Sequence, residues 1–352
     1  MSDARPHNTF LAVDPAWLAL HEEEILQPEL PIVDAHHHLW DRPGWRYLLD
    51  DLLADLRSGH RIVETVFVQC HTMYRASGPD WLRPVGETEF ANGIAAMSAS
   101  GAYGDTRIAR AIVAHADMRH PRLAEQLEAH IRAGGGRVRG VRQITAWDDD
   151  LRLNNPETGS SPHMLRDPAF RRGMAQLERL GLSFDAWLYH PQIDELTELA
   201  RAVPGCRIVL DHIGGPLGAN AYQGRADEVF AHWARSIKEL ASCPNVSLKI
   251  GGMGMRVFGF AFDRGERPPS SQQLAARWKP FVETCVEAFG SQRCMFQSNF
   301  PVDKGSYSYA VGWNAFKRLA EGASAAERDD LFSGCARRFY RLGDDEADRA
   351  LG

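Results

Sequence analysis

Eight short apolar segments recur along the chain, and each ends in polar or ionisable residues. They are rich in Val, Ile, Leu and Phe and have the length of buried parallel strands, and amphipathic helical patterns separate most of them. Strands that alternate with helices predict a (β/α)8 TIM barrel, with an open doubly wound sheet as the alternative. The segments begin at Ile32, Thr65, Ala109, Arg137, Leu182, Arg207, Asn245 and Arg293.

The length of 352 residues suits one large α/β barrel or two medium domains. We expect residues 31–352 to form a single, somewhat distorted domain and residues 1–30 to be an N-terminal extension that packs on it. Three long loops, 72–88, 145–166 and 252–270, follow predicted strands. They should therefore lie at the C-terminal face, where the active sites of such barrels are found.

Composition excludes several classes of function. The net charge is −6 and no block of Lys or Arg occurs, which argues against a nucleic-acid binder. No apolar run approaches about 18 residues, so no membrane span is expected. Six scattered cysteines without a CxxC pair, and no signal-peptide pattern, favour a cytoplasmic protein with reduced thiols. The expected partner is a small molecule, and the sequence leaves a homodimer open.

The first predicted strand, within PIVDAHHHLWD, ends in three consecutive histidines. Side chains alternate along a strand, so Asp34, His36 and His38 should point to one side and His37 to the other. The triplet thus reduces to a His-x-His pair. Two imidazoles at this spacing can bind one divalent ion, or they can form a polar cap without a ligand.

Polar residues stand at the ends of the other predicted strands as well. In a barrel the carboxyl ends of all eight strands meet at one mouth, and so many buried polar groups without a task would be costly. The strand ends therefore predict an active site. They contribute Gln69, His71, His115, Arg142, Gln143, His190, His212, Lys249 and Asn299.

Four motifs in order, PIVDAHHHLWD, VLDHIGGP, NVSLKIGG and MFQSNFPVDK, resemble the amidohydrolase superfamily. The closest similarity is to its branch of sugar-lactone and pyrone-dicarboxylate hydrolases, and it covers roughly residues 30 to 340. The resemblance implies a distorted barrel that hydrolyses a substrate, usually a lactone, at its C-terminal mouth. Members of this branch differ in their metal dependence, so one zinc-like ion and no cofactor both stay open.

The resemblance also implies roles for individual residues. His36 and His38 match the His-x-His of the first strand, and with His190 on the fifth strand they are the expected metal ligands. His212 matches the histidine of the sixth strand, and Lys249 matches the lysine of the seventh.

Asn299 departs from the family, which normally has an aspartate here as the base. An asparagine amide cannot accept a proton near neutral pH. Three interpretations follow: a variant enzyme in which another group is the base, an engineered aspartate-to-asparagine replacement, or a barrel that no longer hydrolyses. Candidate bases are His190, His212 and Asp303, with Asn299 orienting the water.

The expected substrate is a small cyclic ester that carries a carboxylate, from carbohydrate-acid or aromatic catabolism. Arg142 and Lys249 are the expected partners of the carboxylate, and Trp40, Tyr74 and Trp147 could stack on a ring. The predicted activity is that of a lactonase, a carboxylic-ester hydrolase. The alternatives are decarboxylation of an aromatic acid on the same barrel, and ligand binding without catalysis.

Overall fold

The computed structural model describes residues 10–343. Eight parallel strands with flanking helices form its centre, which confirms the predicted (β/α)8 TIM barrel. The two ends of the sheet meet through backbone bonds, because His38 N–H donates to Phe300 O (2.8 Å) and Asn299 N–H donates to His36 O (2.9 Å). After β1 (Ile32–His37), β2 (Trp40–Arg42) and β3 (Trp45–Tyr47) form a hairpin outside the barrel; the other barrel strands are β4 (Ile62–Val68), β5 (Arg107–His115), β6 (Val138–Arg142), β7 (Ser183–Ala186), β8 (Ile208–Leu210), β9 (Val246–Ile250) and β10 (Cys294–Phe296).

Helices surround the strands, and those predicted from the sequence are present. An additional helix begins inside the segment 72–88, which was predicted to be a loop. Its glycines at 86 and 93 weaken the helical pattern, and Gly86 is needed because a Cβ there would lie 2.5 Å from Met73 O. The helices are α1 (Pro15–Leu18), α2 (Leu49–Leu56), α3 (Val85–Ala99), α4 (Leu123–Ala133), α5 (Pro168–Arg179), α6 (Ile193–Ala202), α7 (Ala226–Ala241), α8 (Ser271–Phe289), α9 (Tyr309–Leu319), α10 (Ala325–Asp329) and α11 (Cys335–Tyr340).

A β-bulge in β1 changes which side chains enter the barrel. The register with β4 shifts between Asp34 and His37, so one extra residue is accommodated there. Asp34 consequently faces outward, where it accepts hydrogen bonds from Ser298 Oγ (2.6 Å) and Tyr309 Oη (2.9 Å). The prediction that Asp34 shares a face with His36 was wrong, because strict alternation does not survive a bulge.

The C-terminal helix α11 closes the barrel at the end opposite the mouth. Its buried residues pack with inward-facing valines and alanines of the strands, such as Val33 and Val66. Arg207, just before β8, donates to Phe339 O (2.6 Å), which anchors the helix at the amino ends of the strands. The barrel interior therefore has a closed floor and opens only at the C-terminal face.

Phe10 lies at the mouth of the barrel against Trp40, and residues 23–27 run along the outside of α8 and α9. Leu26 N–H donates to Asn314 Oδ1 (2.9 Å), and Lys317 Nζ donates to Leu26 O (2.6 Å). The first nine residues of the expected extension lie outside the described part of the chain. No helix within residues 10–343 combines the length and the apolar character that crossing a membrane requires.

Candidate active site

A pocket lies at the C-terminal ends of the strands. Its polar lining includes His38, Arg142, His212 and Asn299, four of the residues that the sequence predicted for the site. All four are almost completely buried. Trp40, which was predicted to contact substrate, also lines this pocket together with Trp187, Ile144 and Val257.

The His-x-His pair enters the barrel, and a hydrogen bond of His38 fixes where its proton lies. His38 Nδ1 lies 2.7 Å from Val68 O. A carbonyl only accepts, so Nδ1 carries the proton and Nε2 keeps its lone pair. At the other end, Lys249 Nζ lies 3.3 Å from His36 Nδ1. An ammonium only donates, and so does the guanidinium of Arg142, whose Nη1 lies 3.3 Å from His36 Nε2. Both ring nitrogens of His36 therefore face a cation, and its Nε2 lies 3.2 Å from His38 Nε2. Burial lowers the pKa of both histidines well below the usual value, so both are neutral.

His37 lies on the outer face, as predicted. Its Nε2 is 2.8 Å from Thr65 Oγ1, and its ring contacts Phe67. Burial lowers the pKa of His37 to about 4. His37 therefore has a packing role and no access to the pocket.

Lys249 lies beneath the pocket, inside a buried cluster of charges. Its Nζ is 2.7 Å from Asp185 Oδ2 and 3.1 Å from Asp211 Oδ1. Arg142 Nη1 lies 3.6 Å from Asp211 Oδ2, and Tyr340 of α11 donates to Asp185. Two cations and two carboxylates balance formally. The predicted contact between Lys249 and a substrate carboxylate is not supported, because its ammonium is completely buried and outside the lining of the pocket.

The donor groups do not fit a divalent metal ion. Within residues 10–343, His36, Asp211 and His212 could each offer one ligand atom within 4.8 Å of the others. Lys249 Nζ, however, already contacts Asp211 and His36 Nδ1. A metal on the His36–His38 pair would need a lone pair on His36 Nε2, which would turn the Nδ1 proton of His36 toward the ammonium. At either site a 2+ ion would lie beside the ammonium of Lys249, whose two carboxylate partners already balance the charges of the cluster.

His212 is held against the pocket by an unusual backbone. It has φ 51°, and Ile213, Gly214 and Gly215 follow with φ 50°, 70° and 51°. Such values are rare for a β-branched residue and mark strain that the surrounding structure enforces. The amide nitrogen of Gln297 lies 2.6 Å from His212 Nδ1. An amide nitrogen only donates, so His212 Nδ1 accepts and His212 Nε2 carries the proton. Burial lowers the pKa of His212 to about 3, which makes it a neutral hydrogen-bond donor.

Asn299 follows β10 with φ 58°, a left-handed conformation that asparagine tolerates better than most residues. Its Nδ2 donates to Asp303 Oδ1 (2.8 Å), which leaves Oδ1 as the acceptor of the amide. Asp303 itself accepts from Gly254 N–H (2.8 Å) and from Tyr307 Oη, and burial raises its pKa to about 7. Asp303 lies behind the pocket lining. The structure therefore makes Asp303 a support for Asn299 and does not support its predicted role as the base.

His190 is not brought together with His36 and His38. The strand β7 ends at Ala186, and His190 lies on the 3₁₀ turn that follows. Its Nδ1 accepts from Leu217 N–H (3.3 Å), and its ring contacts His232 of α7 at 5.4 Å. The predicted metal ligand and base therefore lies among the helices, outside the pocket lining.

The two other predicted aromatic residues do not line this pocket. Tyr74 belongs to a neighbouring cavity with His71 and His115. Trp147 lies outside the lining of the pocket, and its backbone N–H donates to Gln192 Oε1 (3.0 Å). Of the three aromatic residues, only Trp40 has the predicted position.

Asp185, Asp211 and Gln297 belong to the site but were not predicted from the sequence. Val209 faces the barrel interior, and side chains alternate along a strand, so Asp211, two residues later, also faces the interior. The same rule finds Asp185, next to the outward-facing Phe184. No signal in the sequence marks Gln297, because its role depends on its contact with His212.

Comparisons with known proteins agree with this geometry. The model of the amidohydrolase family matches residues 33–342. An uncharacterized protein from Sinorhizobium fredii is 33% identical over 89% of this chain and 99% of its own. An L-fucono-1,5-lactonase from Burkholderia multivorans is 30% identical over 88% of this chain and 96% of its own. A crystal structure of a Burkholderia multivorans amidohydrolase with bound zinc has 27% identity and a TM-score of 0.69, covering 88% of this chain and 99% of that one.

The family model and the relatives span the whole barrel, including the His-x-His strand and the strands that carry Arg142, His212 and Asn299. The chain belongs to the amidohydrolase family of enzymes.

Proposed function

We propose that the protein hydrolyses a small lactone that carries a carboxylate. The observation that carries this proposal is the composition of the buried pocket: a guanidinium and a neutral imidazole donor, a neutral imidazole acceptor and an amide face one space. Addition of water to an ester carbonyl needs a donor for the developing oxyanion and an acceptor for the proton of water. The similarity to L-fucono-1,5-lactonases supports an ester substrate.

In the proposed reaction, the carbonyl oxygen binds to Arg142 and to His212 Nε2–H. Arg142 suits this role because its Nε–H is buried without a partner among the described residues, so an oxyanion would supply the missing acceptor. We therefore assign Arg142 to the carbonyl and not to a remote carboxylate, since it lies only 3.3 Å from His36 Nε2.

Water attacks the carbonyl carbon and transfers a proton to His38 Nε2. His38 Nε2 can accept this proton because the proton of the neutral ring is on Nδ1, bonded to Val68 O. Asn299 Oδ1 accepts the second hydrogen of the water. The tetrahedral intermediate then breaks the ring C–O bond, and the proton returns from His38 to the leaving oxygen. The product is the open-chain hydroxy acid, and the histidine is regenerated.

Proton release from a panel of aldonolactones and pyrone carboxylates tests the proposal. Acid release at catalytic rates is expected, and release of CO2 from aromatic acids would instead support a decarboxylase. The double variant His36→Ala, His38→Ala should lose turnover while its circular dichroism spectrum stays that of the wild type. His163→Ala is the matched control, because that side chain is 68% exposed. Turnover retained in the double variant would remove the histidine pair from the mechanism.

A further inference from the structure

A side chamber adjoins the active-site pocket. The pocket and the chamber share Arg42 and His71, so a molecule bound in one can extend into the other. None of the roles proposed above uses this space. Its lining includes Arg42, Pro43, His71, Tyr74, His115 and Glu157.

Arg42 brings an uncompensated positive charge to this junction. Its guanidinium lies over Trp40, 4.8 Å from the ring centroid, and 5.6 Å from the centroid of Phe10. Its Nη2 donates to Cys70 O (2.6 Å). These contacts fix the guanidinium, but none of the described carboxylates forms an ion pair with it, in contrast to Arg142 and Asp211. Glu157, the acidic residue of the chamber, is exposed and does not pair with Arg42. A fixed, partly buried guanidinium is a preorganised partner for a carboxylate.

The other walls supply neutral hydrogen-bonding groups. His71 Nε2, Tyr74 Oη and His115 Nδ1 are buried and have no partner among the described residues. Burial lowers the pKa of His71 to about 3 and that of His115 to about 4, and it raises the pKa of Tyr74. All three are therefore neutral near pH 7. The tyrosine hydroxyl and an imidazole N–H can donate to an anion without adding a charge that the anion would have to balance.

We infer that the side chamber binds the free carboxylate of the substrate and that Arg42 is its ionic partner. This inference rests on the proposed lactone hydrolysis and assigns a binding site to the free carboxylate of that substrate, the lactone of a dicarboxylic acid. In such a lactone one carboxyl group forms the ring ester and the other stays ionised. The ester then lies at Arg142 and His212, and the free carboxylate lies at Arg42.

A matched pair of substrates separates the two carboxyl groups. An aldarolactone carries the second carboxylate, whereas the corresponding aldonolactone carries a hydroxymethyl group in its place. Arg42→Gln should raise KM for the aldarolactone by about tenfold or more, as expected when a charge-assisted hydrogen bond is lost, and should leave kcat nearly unchanged. Kinetics on the aldonolactone should hardly change. Arg42→Lys should recover part of the loss, and Arg46→Gln, an exposed arginine of the same hairpin, should behave as the wild type. Equal losses on both substrates, or no loss, would overturn the inference.

Tyr74→Phe gives a second test in which folding is not at risk. The hydroxyl has no partner among the described residues, so its removal breaks no described hydrogen bond and should not lower Tm. KM for the aldarolactone should still rise, by about three- to tenfold. An unchanged KM would count against the chamber as a binding site.

Binding of the open-chain diacid makes the two levels of the proposal distinguishable. Isothermal titration with an aldarate needs no turnover, and its affinity should fall in Arg42→Gln, whereas that of an aldonate should not. If the wild type hydrolyses no lactone but aldarate binding still depends on Arg42, the proposed function is wrong, and the side chamber is still a carboxylate-binding site. If lactones are hydrolysed without preference for the aldarolactone, and aldarate binding ignores Arg42, the chamber fails and the hydrolase stands.

Discussion

Replacing Lys249 by methionine tests the charge cluster beneath the active site. The ammonium lies 2.7 Å from Asp185 and 3.1 Å from Asp211, and all three side chains are fully buried. Methionine has a similar volume, so the main effect is the loss of the charge. Removing one partner of a buried ion pair costs about 3–5 kcal/mol, because the remaining charge is left in a poorly solvated place.

The cost converts into a change of melting temperature. At about 2.1 cal/mol/K per residue, a chain of 352 residues unfolds with an entropy of about 0.7 kcal/mol/K. Lys249→Met should therefore lower Tm by about 4–7 °C at pH 7.5, measured by calorimetry or circular dichroism at a fixed scan rate.

The effect should depend on pH in a defined direction. Burial already raises the pKa of Asp185, and loss of Lys249 raises it further. The folded variant then binds more protons than the unfolded chain, whose carboxyl groups titrate near pH 4. Its destabilisation relative to the wild type must therefore grow as the pH rises above the value near 4 at which the unfolded carboxyl groups titrate.

Two outcomes would refute this reasoning: a Tm within about 1 °C of the wild type at pH 7.5, or a difference that does not change with pH. Lys279→Met is the matched control. Lys279 forms an exposed i,i+4 pair with Glu283, and such pairs contribute little.

Two further predictions concern the pocket itself. Wild-type protein purified without chelator should contain well under one zinc per chain. Lys249→Met should bind zinc more tightly, because the ammonium no longer contacts His36 Nδ1. One zinc per wild-type chain, which a chelator removes together with the activity, would contradict this prediction. Gly252→Ala should lower kcat by about a hundredfold, since a Cβ there would lie 2.3 Å from His212 Nδ1 at φ 73°. Gly290→Ala, at φ 74° with open space around the Cβ, isolates the backbone strain from the clash, so an equal loss in both variants would exclude the displacement of His212.

Periodicity in the sequence was sufficient for the barrel and for the faces of most strands. Short β-branched runs with polar ends predicted all eight strands, and alternation placed His36 and His38 inside and His37 outside. Alternation failed at Asp34, because one residue accommodated in a bulge reverses the face and leaves no mark in the residue types. The face of a strand residue is a local property, whereas a bulge depends on the partner strand.

The sequence did not indicate how far each side chain lies from the mouth along the barrel axis. Lys249 faces inward as expected, but it lies low enough to pair with Asp185 and not with a ligand. His190 lies four residues beyond the end of β7, where the chain has already turned toward the helices. Arg42 was not predicted as a site residue, because it lies on a short hairpin outside the barrel. The pattern of eight strands does not indicate that this hairpin reaches the pocket.

The closed floor of the barrel has a consequence for biosynthesis. Within residues 10–343 the helix α11 follows every strand, and Tyr340 donates a hydrogen bond to Asp185 Oδ2. During translation the eight strands therefore leave the ribosome before the element that seals them from below. Until α11 docks, water can reach the charges under the histidine pair. Docking of α11 thus determines when the buried charges beneath the active site are closed off from water.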